Sequence, residues 1–401
     1  MNSLNIYRNK NINYNNKKYI PLNNGVTGYQ LGLNKKQKYI CAIFIFIVFI
    51  IFIYLHSKNK VQLYNNLFYK RLDLKDNEYQ FLLKLKRILD NNEILENEMM
   101  YKHTTFKLGG PAKLFIIPSS INKIIKVIHL CKEYQIEYFI LGNGSNLLVS
   151  DEGYNGIIIN IHENNFSNLK IKQVNQNIYH ITVGGGMLMR NLAIKMCLLS
   201  LSGLEDIIDI PGTTGGGIIM NASAGGKGLI IDSLLKVKII TPDGEIKELS
   251  KKECELRGRG SLLKDRKYMV IEGTFNMIKF DKLLIQKTMA DHTSLRYSRQ
   301  PMYLPSAGSF FIWWKPKFGS LYDKYKESNL VGYKIGDAMI YTHNIAFIVN
   351  LGNAKSSDVY KIVLHVEKTI KKNHNTNIIF QQPKQTSNKL TNKHSIAHLI
   401  Q

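Results

Sequence analysis

The chain has 401 residues, of which 44% are hydrophobic, so it can form about two domains with substantial cores. Its formal net charge is +24, and residues 1–72 contribute eleven Lys or Arg but no Asp or Glu. A basic chain can bind nucleic acid, anionic lipid or phosphorylated small molecules, but the sequence contains no zinc-finger spacing, basic heptad helix or aromatic RNA-binding signature, which disfavours nucleic acid. The four widely spaced cysteines disfavour a disulfide framework and a CxxC metal or redox site.

The N-terminal region differs in composition from the rest of the chain. Residues 1–38 are rich in Asn, Lys and Tyr without an apolar period, which predicts a disordered leader. Residues 39–55, YICAIFIFIVFIIFIYL, carry no charge and approach the length of about 20 residues that spans a bilayer, so we predict a transmembrane segment or signal anchor. A buried element of a soluble protein is the weaker alternative. Residues 56–96 are predicted to be a basic spacer and a linking helix.

From about residue 76 the sequence alternates helical and strand patterns, which is typical of an α+β fold. The string SSINKIIKVIHLCKEYQ begins with serines that can cap a helix, and its apolar residues recur with helical spacing. These apolar residues are Ile121, Ile124, Ile125, Ile128 and Cys131. A predicted strand, IEYFILG, follows, and LLVSDEGYNGIIINI then has two short apolar runs around an Asp-Glu-Gly turn.

Three further segments have recognisable patterns. The predicted strand IYHITV leads through glycines into the predicted helix MLMRNLAIKMCLLSL. The string LLKVKIITPDGEIKELS predicts a hairpin that turns at Pro-Asp-Gly. Near the end, SSDVYKIVLHVEKTIKK again predicts a capped helix with one buried face.

Three loops of small residues each follow a probable strand: LGNGSN, VGGGM and IPGTTGGGIIMNASAG. A P-loop is excluded, because Gly226 and Lys227 are followed by Gly228 rather than by Ser or Thr. A Rossmann fingerprint is disfavoured, because Leu147 and Met189 stand where a third glycine is required. Backbone amides in such loops can converge on a pyrophosphate, so three of them suggest a long anionic ligand such as a dinucleotide. The alternative, that the glycines only serve turns, stays open.

Six motifs occur in order between residues 99 and 382: KHTTFKLGGPA, LGNGSNLLVSDEGYNGIII, GLEDIIDIPGTTGGGIIMNASAGG, RGSLLKDRKYMVIEGTF, QPMYLPSAGSFF and GYKIGDAMIYTHNIAFIVNLGNA. Together they resemble the UDP-N-acetylenolpyruvoylglucosamine reductases, also called UDP-N-acetylmuramate dehydrogenases, which are flavoenzymes of peptidoglycan precursor synthesis within the wider FAD-binding superfamily. No insertion that could carry an extra tyrosine lid is visible, so the chain resembles the subtype without one.

The resemblance implies a domain organisation. It predicts an α+β fold with a two-lobed FAD-binding domain at 97–280, a smaller α+β substrate-binding domain at 281–381 and a polar tail at 382–401. A bacterial-type enzyme behind a long basic leader further predicts a protein that is membrane-anchored, or targeted through a recessed signal, in an organelle of bacterial descent.

The resemblance also implies a reaction and its site. Hydride passes from NADPH to FAD and then to the enolpyruvyl ether of UDP-N-acetylglucosamine, giving UDP-N-acetylmuramate, without a metal. The residues that match family FAD contacts are Gly142, Asn143, Gly144, Ser145, Asn146, Pro211, Gly212, Thr213, Gly216 and Asn221. Arg259 matches the arginine at the substrate carboxylate, a role that suits paired guanidinium donors. Ser309 matches the serine that protonates the carbon beside that carboxylate, and Arg296 matches a further basic substrate-binding position.

Several substrate-side positions depart from the family pattern. Gln381 stands where a catalytic glutamate is usual, and glutamine can hydrogen-bond an oxyanion but cannot deliver a proton. Gly258 replaces a tyrosine, and Asn344, matched to substrate binding, and Ala346 replace a histidine and an asparagine. Three functions therefore stay open: the active reductase, a flavin oxidoreductase of the same fold with a different substrate, and a catalytically impaired FAD-binding relative.

Overall fold

The structure is a computed structural model that describes residues 76–161, 163–224, 227–230, 232–258, 260–312, 321–374 and 379–380. Some sequence predictions concern residues outside these ranges. They are the leader (1–38), the apolar segment (39–55), the basic part of the spacer (56–75), Arg259, Gln381 and the tail (382–401).

A four-stranded mixed sheet forms from the first strands, in the order β1-β2-β4-β3. Its strands are β1 (Ile94–Met99), β2 (Pro111–Ile116), β3 (Tyr138–Leu141) and β4 (Tyr154–Asn160). β1 is antiparallel to β2, whereas β2 and β3 both run parallel to β4. Helix α2 (Ile121–Glu133) makes the crossover between β2 and β3 and packs against α1 (Asp76–Ile88). The predicted cap of α2 is confirmed, because the Ser120 side chain accepts a hydrogen bond from the Lys123 amide.

A second sheet, antiparallel throughout, has the order β11-β10-β12-β6-β5, with β7 paired to the end of β12. Its strands are β5 (Leu169–Gln173), β6 (Ile178–Gly184), β7 (Leu201–Ser202), β10 (Leu234–Ile240), β11 (Ile246–Ser250) and β12 (Met269–Lys279). The predicted hairpin is confirmed, since β10 and β11 pair across a turn at Pro-Asp-Gly. The prediction that VGGGM is not part of a Rossmann fingerprint is confirmed, because the strand before it has only antiparallel neighbours.

Short helices and one long helix accompany the second sheet. They are α3 (Glu163–Phe166), α4 (Met189–Leu198), α5 (Thr214–Ile219), α6 (Leu262–Asp265) and α7 (Lys282–Arg299), with a small hairpin of β8 (Ser223–Ala224) and β9 (Lys227–Leu229). One face of α4 and the inward residues of β6, β10 and β12 form a common apolar core. This core fixes the loops at the starts of α4 and α5 relative to the sheet.

A third sheet, in the order β13-β17-β16-β15, lies in the C-terminal part. Its strands are β13 (Ser306–Ser309), β15 (Lys334–Ile335), β16 (Ala338–Ile340) and β17 (Phe347–Asn350), and it is accompanied by α8 (Leu321–Glu327), α9 (Ser356–His374) and the strand pair β14 (Phe311–Ile312) and β18 (Ile379–Phe380). Phe106, Leu108 and Leu148 of the N-terminal part complete its apolar core. The third sheet is therefore packed against the 106–108 segment and against Leu148, which follows the LGNGSN loop.

The α+β fold class predicted from the sequence is confirmed, while the boundaries at 97–280 and 281–381 stay predictions. Within the described ranges, no helix is both long enough and apolar enough to cross a membrane. This finding contradicts the predicted localisation, a membrane-anchored or signal-targeted protein of an organelle of bacterial descent. The apolar segment 39–55, on which that prediction depended, lies outside the described residues.

Candidate functional site

A cavity of about 500 Å³ opens between the loops of the first and second sheets. Its volume is in the range of about 300–1,000 Å³ that is usual for small-molecule sites. The lining residues are Lys102, His103, Thr104, Thr105, Lys107, Gly142, Asn143, Asn160, Ile161, Gly186, Leu188 and Thr213. Three of the predicted FAD contacts, Gly142, Asn143 and Thr213, are thus brought together by the fold.

The LGNGSN loop leaves the end of β3 and contacts both neighbouring segments. Gly144 has a φ of +61°, and a Cβ there would lie 2.1 Å from the carbonyl oxygen of His103, so only glycine lets the 102–107 segment approach. At Gly142, a Cβ would lie 2.5 Å from Thr213 Oγ1. The Asn143 side chain donates a 2.7 Å hydrogen bond to the Pro211 carbonyl. The loop therefore joins the two sheets at the cavity.

The PGTTGG loop is held by the VGGGM loop. Met189 N donates to the Gly212 carbonyl at 3.0 Å, and Thr214 Oγ1 donates to the Met187 carbonyl at 2.9 Å. A Cβ on Gly185 would lie 2.3 Å from the Val270 carbonyl oxygen. The glycine at 185 is thus required by packing on β12, whereas Gly186 lines the cavity.

Asn221, a predicted FAD contact, has a buried polar atom without a partner. The residue is 3% exposed and lies in the left-handed region with a φ of 45°. Its Nδ2 donates a 3.5 Å hydrogen bond to the Gly258 carbonyl, but its Oδ1 is buried without a hydrogen bond to any described residue. Leaving such an acceptor unsatisfied costs about 1–3 kcal/mol. We therefore expect Asn221 Oδ1 to accept a hydrogen bond from a ligand or from a residue outside the described ranges.

Ser309 ends β13 beside the LGNGSN loop. Gly308 has a φ of +80°, and a Cβ there would lie 3.9 Å from Asn146 Oδ1. Thr105 Oγ1 donates a 2.8 Å hydrogen bond to the Ser306 carbonyl, which fixes the other end of the strand. The Ser309 side chain is half-buried, and its hydroxyl makes no hydrogen bond within the part of the chain that the structure describes. It can therefore donate a proton to a bound molecule.

Arg296 lies in the last turn of α7 and is 9% exposed. Its Nε is buried and has no hydrogen-bond partner among the described residues. Burial lowers the pKa of Arg296, and the negative charge of Asp209 acts in the opposite direction. Burial of a cation with an unsatisfied donor is costly, so the Nε of Arg296 remains available to an anion.

Asn344 ties the end of α7 to the strand of Ser309. Its Nδ2 donates to the Arg299 carbonyl at 2.8 Å, and its Oδ1 accepts from the Ala346 amide at 3.1 Å. The Ala346 carbonyl in turn accepts from the Phe310 amide at 2.7 Å. The fold thus brings Arg296, Asn344 and Ser309 into one region. Both the Nδ2 and the Oδ1 of Asn344 are hydrogen-bonded to other groups of the chain.

The cations of the 102–107 segment were not among the site residues predicted from the sequence. Lys102 and His103 both contact Glu98, at 3.3 and 3.0 Å, and the His103 ring stacks on Phe115. Lys107 has an exposed side chain that makes no ion pair within the described ranges. The motif KHTTFKLGGPA contained these residues, but its pattern gave no reason to place them at the cavity.

Comparisons with known proteins agree with this arrangement. The family model described as "FAD binding domain" matches residues 112–250, and the model described as "UDP-N-acetylenolpyruvoylglucosamine reductase, C-terminal domain" matches residues 300–382. UDP-N-acetylenolpyruvoylglucosamine reductase of Alkaliphilus metalliredigens is 36% identical over 298 residues, which cover 74% of this chain and 94% of that protein. The enzyme of the same name from Clostridium novyi is 36% identical over 295 residues, covering 74% and 93%.

A solved structure gives the same result. The crystal structure of UDP-N-acetylenolpyruvylglucosamine reductase from Thermus caldophilus matches 69% of this chain and 94% of its own chain, with 30% identity and a TM-score of 0.57.

Proposed function

The chain belongs to the UDP-N-acetylenolpyruvoylglucosamine reductase family, and we propose that it reduces the enolpyruvyl ether of UDP-N-acetylglucosamine to UDP-N-acetylmuramate with NADPH and FAD. The observation that carries this proposal is the match to 94% of the Alkaliphilus enzyme at 36% identity. Such a match covers the cofactor side and the substrate side of the relative together.

We propose that the LGNGSN loop and the PGTTGG loop together hold FAD. Gly142, Asn143 and Thr213 line the cavity, and the unsatisfied Oδ1 of Asn221 supplies an acceptor for the cofactor or its surroundings. When bound, FAD would take hydride from NADPH and transfer it to the enolpyruvyl group. In this proposal the first two sheets, 97–280, form a two-lobed FAD-binding domain, and the third sheet belongs to a substrate-binding domain at 281–381.

The substrate side needs one proton donor and at least one cation. Hydride addition to the methylene carbon leaves negative charge beside the substrate carboxylate, so a nearby acid must protonate that carbon. We assign this role to Ser309, whose hydroxyl is not engaged by any described residue. Arg296 supplies a buried guanidinium for an anionic group of the substrate. Asn344 supports the site by holding the chain between Arg299 and Ala346.

Arg259 and Gln381 complete the proposed site from outside the described residues. Arg259 would bind the substrate carboxylate through paired donors, and Gln381 would hydrogen-bond the developing oxyanion. Because glutamine cannot deliver a proton, the proposal makes Ser309 the proton donor without help from a carboxylic acid at 381.

The two half-reactions test this function on the full-length chain. The purified protein should show the absorbance of oxidised flavin, lose it with NADPH under anaerobic conditions, and regain it only when the enolpyruvyl substrate is added. Ser309→Ala should bleach at the wild-type rate but recover about 10² to 10⁴ times more slowly, because only the protonation step is lost. Recovery with a different acceptor alone would favour another substrate, and failure to bleach would indicate an impaired relative.

A further inference from the structure

Asp209 is a buried carboxylate in an unusual backbone conformation. It has a φ of 62°, and its side chain is 4% exposed. Left-handed backbone is costly for a residue with a side chain, and so is the burial of a carboxylate, unless surrounding contacts compensate. Asp209 lies two residues before Pro211, where the PGTTGG loop begins. Its contacts therefore affect a loop that lines the cavity.

Both oxygens of Asp209 are engaged by neighbouring helices. Oδ1 lies 3.2 Å from Arg190 Nη1 in the first turn of α4, and Oδ2 accepts a 2.5 Å hydrogen bond from Thr293 Oγ1 in α7. Arg296 follows Thr293 by three residues, so the two side chains share one face of α7. The carboxylate thus lies between the PGTTGG loop, α4 and α7, with the Arg296 charge close by.

The two arginines near Asp209 differ in their surroundings. The Arg190 side chain is 62% exposed, so water solvates its remaining donors. Arg296 is 9% exposed, and its Nε has no partner in the described part of the chain. Asp209 therefore offsets the charge of Arg296 while its own oxygens bond to other groups. The Nε donor of Arg296 is left available for an anion.

We propose that Asp209 is a positioning residue for the reductase reaction. Its charge holds the Arg296 guanidinium in place beside the PGTTGG loop, so that this group binds an oxyanion of the UDP-sugar substrate. This inference rests on the proposed function. The oxyanion belongs either to the enolpyruvyl carboxylate or to the diphosphate, and the test separates these two groups.

Asp209→Asn is the informative variant. Asparagine tolerates the left-handed conformation and keeps the shape of the side chain, so the substitution removes mainly the charge. Without the carboxylate, a buried guanidinium is less stable and moves toward solvent. We expect KM for the enolpyruvyl substrate to rise about tenfold or more, while kcat changes by less than about threefold. The unfolding temperature should fall, because a buried cation loses its counter-charge, while the bound flavin should stay near wild type.

Asp206→Asn is the matched control. Asp206 lies three residues earlier and also contacts α7, where its Oδ1 lies 2.7 Å from His292 Nε2, but it does not act on Arg296. Its loss should leave KM within about twofold of wild type. A coupled measurement strengthens the assignment: in an Arg296→Gln background, Asp209→Asn should add no further rise in KM.

The dissociation constant of UDP-N-acetylglucosamine, which has the diphosphate but no enolpyruvyl carboxylate, identifies the bound group. Weaker binding of this ligand in Asp209→Asn assigns Arg296 to the diphosphate, whereas a change confined to the enolpyruvyl substrate assigns it to the carboxylate. Unchanged or lower values for both ligands would overturn the inference. Should Asp209→Asn not fold, Thr293→Val removes one anchor of the carboxylate and should raise KM severalfold. A wild-type protein that fails to turn over would instead reject the proposed function.

Discussion

At the residue scale, the cations of the 102–107 segment explain how the cavity can attract an anionic cofactor. Lys102 shares Glu98 with His103, so its charge is partly offset. Lys107 also lines the cavity, and it has no carboxylate partner within the described ranges. The diphosphate of FAD is an anion of the right kind for such a group, because Lys contacts phosphate as a point charge.

We predict that Lys107→Gln raises the dissociation constant of FAD about 3- to 10-fold at low ionic strength. An increase of this size is expected from the loss of one exposed charge near a phosphate. The difference in dissociation constant between the variant and wild type should shrink as salt is added. Titration of apoprotein with FAD, followed by flavin fluorescence, measures it. Lys267→Gln is the control. Lys267 is exposed, as Lys107 is, and has a positive φ of 53°, but it does not line the cavity. Equal effects of the two substitutions would contradict the assignment.

At the scale of elements, a buried carboxylate joins the start of β1 to α2. Glu93 accepts hydrogen bonds from Lys123 Nζ at 2.7 Å, from the Ser119 amide at 2.6 Å and from the Asp90 amide at 2.7 Å. Burial alone raises the pKa of Glu93, but these hydrogen bonds outweigh it and hold the pKa at about 2. The ionised carboxylate is therefore part of the folded first sheet.

We predict a pH-dependent cost for Glu93→Gln. Because the folded pKa is below the ordinary value of 4.5, the carboxylate stabilises the fold fully above about pH 4.5 and loses this effect as the pH falls toward 2. At pH 7 the free energy of unfolding of the variant should be about 2 kcal/mol lower than that of wild type. The difference between the two proteins should narrow as the pH falls from about 4.5 to about 2. Urea unfolding at several pH values measures it. Glu96→Gln, which breaks a partly exposed pair with Lys86, should cost less than about 1 kcal/mol.

The turn of the β10–β11 hairpin connects the second sheet to α2 of the first. His129 Nε2 lies 2.9 Å from the Asp243 carbonyl oxygen, and Lys132 Nζ lies 2.5 Å from Asp243 Oδ1. Gly244 has a φ of +84°, and a Cβ there would lie 2.3 Å from His129 Nε2. The contact helps to set the spacing of the two sheets whose loops line the cavity.

We predict that Gly244→Ala weakens both stability and FAD binding. Left-handed backbone costs about 1–2 kcal/mol for alanine, and the clash displaces the hairpin from α2. Thermal unfolding and FAD titration measure the two effects. In the double variant with His129→Ala the clash is gone but the backbone cost is not, so FAD affinity should recover while stability stays reduced. Parallel behaviour of both quantities would mean that the hairpin does not control the cavity.

At the scale of the whole molecule, the sequence predicted the local elements better than the contacts between them. The α2 cap and the Pro-Asp-Gly hairpin depend on neighbouring residues, so their patterns sufficed. The bond from Thr105 to Ser306 joins residues 201 positions apart, which no periodicity records. For the same reason the glycines looked alike in sequence, although Gly185 serves packing on β12 and Gly142 lies at the cavity.

Phe106 connects the cofactor side to the strand that carries Ser309. Its ring is fully buried in the third core, 5.6 Å from the ring of Phe310, and its carbonyl accepts a 3.2 Å hydrogen bond from Asn350 Nδ2. The residues on either side of it, Thr105 and Lys107, line the cavity. A change at Phe106 should therefore alter how Ser309 is placed relative to bound FAD.

We predict that Phe106→Ala lowers the free energy of unfolding by about 3–5 kcal/mol, because it leaves a large cavity in the third core. At saturating FAD it should slow the recovery of flavin absorbance with substrate more than the bleaching by NADPH, since in the proposed reaction only recovery uses Ser309 as the proton donor. Phe106→Leu keeps most of the buried volume and should cost less than about 1.5 kcal/mol. Stopped-flow measurement of both half-reactions decides the matter. Equal slowing of the two would show that Phe106 supports the cofactor loops alone, because a shifted Ser309 affects the second half-reaction selectively.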